Sequence, residues 1–243
     1  MGMFANLSTE DLTDSKDVLG GGYEPLLSGV YPATITLAYL SEAANSKASC
    51  ANIHYTVDGT EHREQIWFTN RNGENFYVDK QDGKTKHALP GYQTLDDITL
   101  FITQKPLTEQ DDGIEMKTVK LYNKEAKKEL PTEVQCLTFL HGGEVQFAIL
   151  RQIEDKNAKG EDGNYHPTGE TYTSNTIDKV FHPETRRTIN EYKHGIEADE
   201  FATAWLAKNK GKDRNRAKGA ASGAGQSGTG SPAAKSSTPN LFG

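Results

Sequence analysis

Cysteine is nearly missing from this chain: Cys50 and Cys136 are the only two in 243 residues. Two thiols make neither a disulfide framework nor a four-cysteine zinc site, so both read as reduced, small apolar residues. Apolar content is also low, at 35%, which points to long loops or a segment that joins no core. No apolar run approaches the roughly 20 residues needed to span a bilayer. The start, Met1-Gly2-Met3-Phe4-Ala5-Asn6, lacks the basic flank and apolar centre of a signal peptide. A soluble, intracellular protein is expected. Phosphate loops are missing as well: no Lys-Ser/Thr pair follows Gly20-Gly21-Gly22, and Gly83-Lys84-Thr85 has Val78 where the motif needs glycine. Catalytic constellations are equally scarce. Cys136 and His141 supply only two zinc ligands. Asp96-Asp97 and Asp111-Asp112 lack a third carboxylate motif and read as a helix first turn and a loop. No enzyme, cofactor or metal is expected.

The charge that is present is unevenly spread. Net charge is −7, yet residues 211 to 243 carry Lys212, Arg214, Arg216, Lys218 and Lys235 against Asp213 alone, a net +4, leaving −11 on residues 1 to 210. An acidic body argues against a duplex binder with a broad positive face, while permitting a local basic groove.

Aromatics and cations interleave from Arg63 to Lys80 and on to Tyr92. At a strand's period of two, Glu64, Ile66 and Phe68 point one way and Arg63, Gln65, Trp67 and Thr69 the other. Trp67 thus falls on the polar face. Such a ring suits base stacking beside phosphate-binding cations, or else it is covered by a loop. The residues assigned to stacking are Trp67, Phe76, Tyr77 and Tyr92; those assigned to phosphates are Arg63, Arg71, Lys80, Lys84 and Lys86. A second basic cluster, Lys179, Arg186 and Arg187, reads as a surface paired with Glu184 and Glu191.

Along the chain, Ser8 is placed to cap a short helix with Leu7 and Leu12 as a staple, ended by the triple glycine. Strands are predicted over Gly29 to Leu40, Ser49 to Val57 and Thr60 to Thr69, the last two joined at Asp58-Gly59. That turn sets Cys50 opposite Trp67, Asn52 opposite Gln65 and His54 opposite Arg63. Phe76 to Val78 forms a short strand in an arm. Thr94 is placed to cap a helix over Leu95 to Thr103. Further strands follow over Met116 to Tyr122, Val134 to Leu140 and Glu144 to Ile153, then a polar loop from Asp155 to Asn164 and a peripheral strand from Tyr165 to Tyr172. Ala198, Phe201 and Trp205 fall at helical spacing, with Trp205 in a core. Three strands, a helix and more strands fit a mainly β, OB-fold-like five-stranded Greek-key barrel with peripheral helices, binding nucleic acid on its second and third strands. The domain runs over 1–210. Residues 211–243, rich in Gly, Ala and Ser, read as a flexible basic tail with an apolar tip at Leu241-Phe242.

Several runs carry a family resemblance: Leu19-Gly20-Gly21-Gly22, Thr69 to Tyr77, Leu89-Pro90-Gly91-Tyr92, Ile177 to His182, Trp205 to Gly211 and the ending Leu241-Phe242-Gly243. The chain resembles single-stranded DNA-binding proteins of tailed bacteriophages over most of residues 4 to 211. The resemblance implies an OB-fold replication protein in the cytoplasm of an infected bacterium. Such a protein coats and protects single strands during replication, recombination and repair, and recruits a polymerase, helicase or nuclease. The tail departs from it, being basic where many single-strand binders end in acids. The runner-up from another class is an acidic interaction or DNA-mimic module that binds a host protein; a metal-dependent nuclease comes third.

A flexible tether raises the local concentration of its tip. Deleting residues 239 to 243 is therefore expected to leave oligonucleotide affinity nearly unchanged while abolishing co-purification of replication proteins from infected cells, as read by pull-down and mass spectrometry.

Overall fold

The computed structural model describes residues 24–110, 112–123 and 125–218. The helix expected at Ser8, the triple glycine and residues 219–243, including Leu241 and Phe242, lie outside them. Three strands come first: β1 (Gly29–Glu42), β2 (Ser49–Val57) and β3 (Thr60–Trp67). Asp58 and Gly59 join β2 to β3 at φ of 48° and 78°, the doubly left-handed backbone of a two-residue hairpin turn. The register follows the alternation: Cys50 faces Trp67, Ala51 faces Ile66, Asn52 faces Gln65 and His54 faces Arg63. A small arm pairs β4 (Phe76–Val78) with β5 (Lys86–Ala88), and α1 (Pro90–Thr103) follows. Two hairpins come next, β6 (Ile114–Asn123) with β7 (Lys128–Leu137), and β8 (Glu144–Lys159) with β9 (Tyr165–Phe181). Short α2 (Ile189–Lys193), then α3 (Glu200–Asn209) and β10 (Asp213–Asn215), complete the described chain.

The fold is mainly β, but its pairings form an eight-stranded sheet that does not close into the expected five-stranded Greek-key barrel. An eight-stranded sheet runs β10-β8-β1-β2-β3, with β9 on the other edge of β8 and the β6/β7 hairpin attached to β1. β1 joins its halves. Gly29 to Thr34 pair with β8, Thr34 to Glu42 pair with β2, and a register shift between Ile35 and Leu37 marks the change of partner. All pairings are antiparallel except β10 on β8.

Among the described residues no backbone ladder joins β3 to β9. A single side chain spans the gap instead: the Glu64 carboxylate accepts the Thr176 hydroxyl and the Ile177 backbone N–H, each at 2.7 Å. An unpaired edge N–H facing another strand needs an acceptor, and Glu64 supplies it. Burial pushes the Glu64 pKa up to about 7, against the lowering effect of these two hydrogen bonds.

Two apolar clusters lie on opposite faces of β8, whose residues Phe147 to Leu150 are all buried. The larger gathers Ile35, Ile53, Tyr55, Phe147 and Ile149 under Leu95 and Ile98 of α1. The smaller packs Ala148, Leu150 and Phe181 against Ala202 and Trp205 of α3. Trp205 is 6% exposed, as expected of a core ring, and its Nε1–H donates to Asp178 Oδ2 at 2.7 Å. Asp178 is the extra residue of a bulge, since Ala148 pairs with Lys179 while Ile149 pairs with Ile177.

Several boundaries differ from the sequence expectation. α1 starts at Pro90, whose missing N–H costs nothing at the first helical position. Thr94 turns its hydroxyl back onto the Pro90 carbonyl at 3.0 Å instead of capping, which puts Asp96 and Asp97 beyond the first turn. The first half of the expected loop from Asp155 to Asn164 is strand, to Lys159, because an exposed two-stranded ribbon needs cross-strand pairs such as Lys156–Glu170 rather than a core; residues 160–164 form the turn. In α3 the buried stripe is Ala202 and Trp205, while Phe201 is 43% exposed and Ala198 precedes the helix. Residues 211 to 218, grouped with the tail on composition, are fastened to the sheet, with Asp213–Asn215 as its strand β10. Gly211 N–H donates to Ser28 O at 2.8 Å, and Lys218 N–H donates to Asp155 Oδ2 at 2.7 Å.

An acid whose folded pKa is raised contributes most stability when protonated and loses it as pH rises from its unfolded to its folded pKa. For Glu64 that window runs from about 4.5 to about 7. Glu64→Gln is therefore expected to gain stability relative to wild type across this window, by about 3 kcal/mol, and to hold the gain above it. Thermal melts of both proteins from pH 4.5 to 8 check this.

Candidate nucleic-acid interface

β3 sorts its side chains cleanly. His62 and Ile66 are buried, Glu64 turns inward to the gap, and Arg63, Gln65 and Trp67 face out, with Trp67 44% exposed. The matching positions on β2 are covered: Cys50, Asn52 and His54 are all buried. Asn52 accepts from Gln65 Nε2 at 3.0 Å and donates to the Ser41 hydroxyl at 2.8 Å. The expected two-strand face is thus narrowed to the outer surface of β3. Arg63 Nε donates to Glu61 at 3.0 Å, and His54 Nδ1 lies 3.3 Å from the same carboxylate. Burial, followed by the Arg63 charge, lowers the His54 pKa.

Trp67 is the last residue of β3, so the arm grows from its base. Asn70 Nδ2–H donates to Phe76 O at 3.1 Å, and Leu89 N–H donates to Asn75 O at 2.9 Å, closing the arm's root. Of the expected stacking residues, Trp67 is the exposed one whose ring takes no aromatic or cation contact among the described residues. The Lys86 ammonium stands 4.0 Å over the Phe76 ring. Tyr77 is 51% exposed, with one face against His87 at 5.2 Å. Tyr92 is half-buried on α1; burial, then Asp96, raises its pKa, and a hydrogen bond to Asn75 opposes the rise. Arg71, Lys80 and Lys84 are exposed and take no ion pair within 4.0 Å among the described residues.

The second basic cluster is largely occupied. Arg186 pairs with Asp199, while Arg187 lies 3.9 Å over the Tyr192 ring and donates to Glu191 O at 3.3 Å. Pairing was expected, but Asp199 takes the place assigned to Glu184. Lys179 is left exposed.

A cleft of about 400 Å³ runs between β3, the start of α1 and β9, with Gln65, Trp67, Asp97, Lys179, Arg214 and Arg216 among its lining residues. Arg214 and Arg216 were missed as site residues. Their period-two spacing in Asp213-Arg214-Asn215-Arg216 is a strand signal, hidden by the glycine- and alanine-rich context. Burial, then Asp96, pushes the Asp97 pKa up to about 6, against the opposing charges of Lys179 and Lys193. Among the described residues no group of three or more His, Cys, Asp or Glu is placed to hold a metal ion. None of their helices is long and apolar enough to cross a membrane.

Gly91 sets the cleft's end. A Cβ there would stand 1.9 Å from the Trp67 carbonyl oxygen, so α1 can meet the end of β3 only through a residue without a side chain. Gly91→Ala is expected to destabilise by about 1–3 kcal/mol, as overpacking does, and to shift the Trp67 fluorescence; a thermal melt with emission spectra, against Trp67→Phe as reference, reads both.

No family model matches the chain, and no curated protein matches it.

Proposed function

We propose that the protein binds single-stranded DNA without sequence preference and performs no catalysis. The observation that carries this reading is Trp67, a large ring 44% exposed on a strand face that also presents Arg63 and Gln65, at the root of an arm carrying Arg71, Lys80, Lys84 and Lys86. Unpaired bases need ring faces, worth about 1–3 kcal/mol each, and phosphates need nearby cations; both are offered within a few residues. The partly filled arm rings, Phe76 under Lys86 and Tyr77 against His87, fit a second role in which each base meets an aromatic already backed by a cation or imidazole.

The finer fold reading belongs here as well. β1 bending between two partners, α1 following β3, and Glu64 drawing β3 toward β9 support an OB-type barrel left open at one seam. With it come the proposed coating of strands in phage replication, recombination and repair, the host cytoplasm as its location, and recruitment of replication proteins through Leu241 and Phe242.

Trp67→Ala is expected to weaken binding to fluorescent oligo-dT by about 1–3 kcal/mol with little loss of stability, whereas Trp205→Ala should chiefly lower the melting temperature. Polarisation titrations with and without magnesium, beside thermal melts, separate the readings: retention supports the proposal, no retention favours an acidic interaction module, and cleavage a nuclease. Early melting of Trp67→Ala with normal binding would remove Trp67 from the site.

A further inference from the structure

The proposed site uses only the β3 side of its cleft. From the opposite wall a second groove, about 630 Å³, continues between β9, α3 and β10. The two share Asp178, Lys179 and Arg214 in their linings, so they lie side by side across these residues. Lys208 and Lys212 join Lys179 and Arg214 in lining the second groove, with Phe201. All four cations are exposed.

The two acids that line this groove already have hydrogen-bond partners. Asp178 accepts the Trp205 indole N–H at 2.7 Å. Asp213 takes Arg151 through two hydrogen bonds, from Nε at 2.6 Å and from a terminal guanidinium nitrogen at 3.2 Å. Lys179, Lys208 and Arg214 form no ion pair within 4.0 Å among the described residues, and Lys212 Nζ donates to a backbone carbonyl, that of Lys208, at 2.6 Å. Four cations on one concave strip outnumber the carboxylates left to face them, Asp178, whose charge a neutral indole N–H does not cancel, and Asp97 of the adjoining cleft, and so favour a polyanion that neutralises several at once. This strip is built in, not a loose tail. Ser28 ties it to the sheet by donating its hydroxyl to Lys212 O at 2.5 Å and accepting Arg151 N–H at 2.9 Å. The groove also holds Phe201, 43% exposed, a ring that an unpaired base can use and a duplex, with its bases stacked inside, cannot.

We infer that this groove is a second track for single-stranded nucleic acid, in which the strand leaving Trp67 crosses at Lys179 and Arg214, continues along Lys208 and Lys212, and lays a base on Phe201. The inference rests on the proposed function and extends its path onto β10 and α3.

Two measurements test it on the full chain. In salt titrations with oligo-dT, Lys179→Ala/Lys208→Ala/Arg214→Ala is expected to flatten the slope of log affinity against log salt by about 2, at roughly 0.7 for each phosphate no longer neutralised. Trp67→Ala should lose affinity while keeping the wild-type slope. In wild-type protein, which avoids any folding defect of the triple variant, bound oligo-dT should protect Lys179, Lys208 and Lys212 from acetylation read by mass spectrometry. Unchanged lysine reactivity overturns the groove, as does an unchanged slope in the triple variant. If Trp67→Ala still binds more weakly, the β3 site survives that failure. Protection by a hairpin duplex and not by oligo-dT overturns the single-strand assignment. Wild-type protein that fails to bind oligo-dT overturns both.

Discussion

The Glu64 carboxylate is the constraint on which the rest of the architecture turns. β3 and β9 approach without pairing, leaving an edge N–H at Ile177 and a hydroxyl at Thr176 facing a strand that offers no matching ladder. One half-buried side chain answers both. The gap it spans is wide enough to remain a cleft and narrow enough to bring Trp67, Lys179 and Arg214 to its walls. A closed ladder there would have erased the cleft; an unbridged edge would have left buried polar groups without partners. The cost is a carboxylate held in a poorly solvated place, which is why its proton is retained to about neutral pH.

The same economy of elements shapes the binding proposal. β8 is apolar on both faces because it separates two cores, one under α1 and one under α3. That leaves β3, half covered by its β2 partners, as a strand with a free outer face. It leaves α3 and β10 as the walls of a groove whose cations outnumber its acids. The second basic cluster illustrates the contrast. Arg186 and Arg187 look as basic in sequence as Arg214 and Arg216, yet they are held by Asp199, the Glu191 carbonyl and the Tyr192 ring. Charge in a sequence marks a binding surface only where the fold withholds a partner.

Local order was legible wherever it depended on near neighbours. Alternation in β2 and β3, with Asp58-Gly59 between them, is a short-range code: parity decides which side chain faces which solvent, and a two-residue turn permits one register. Hence Trp67 outside and Ile66 inside; Trp205 is buried as read, though beside Ala202 and not with Ala198 and Phe201 as its spacing suggested. The start of α1 was misplaced because Thr94 is a good cap by type, whereas Pro90 and the contact of Gly91 with the Trp67 carbonyl decide the position. A cap preference of about 1 kcal/mol yields to a steric contact between two elements.

The sequence by itself determined the first three strands, their faces and the hairpin register, because each depends on residues within a dozen or so positions of one another, and it determined the charge asymmetry between body and C-terminal segment, which is composition alone. Only the tertiary structure decided that β3 and β9 stay apart and are bridged by Glu64, since that choice joins residues 64 and 176 through one side chain. It also made residues 211 to 218 part of the sheet: three hydrogen bonds through Ser28 and Gly211, together with the Arg151–Asp213 pair, order a segment whose composition favours solvent. Contacts so distant in sequence leave no periodic trace, and their energy depends on two surfaces that exist only once the chain has folded.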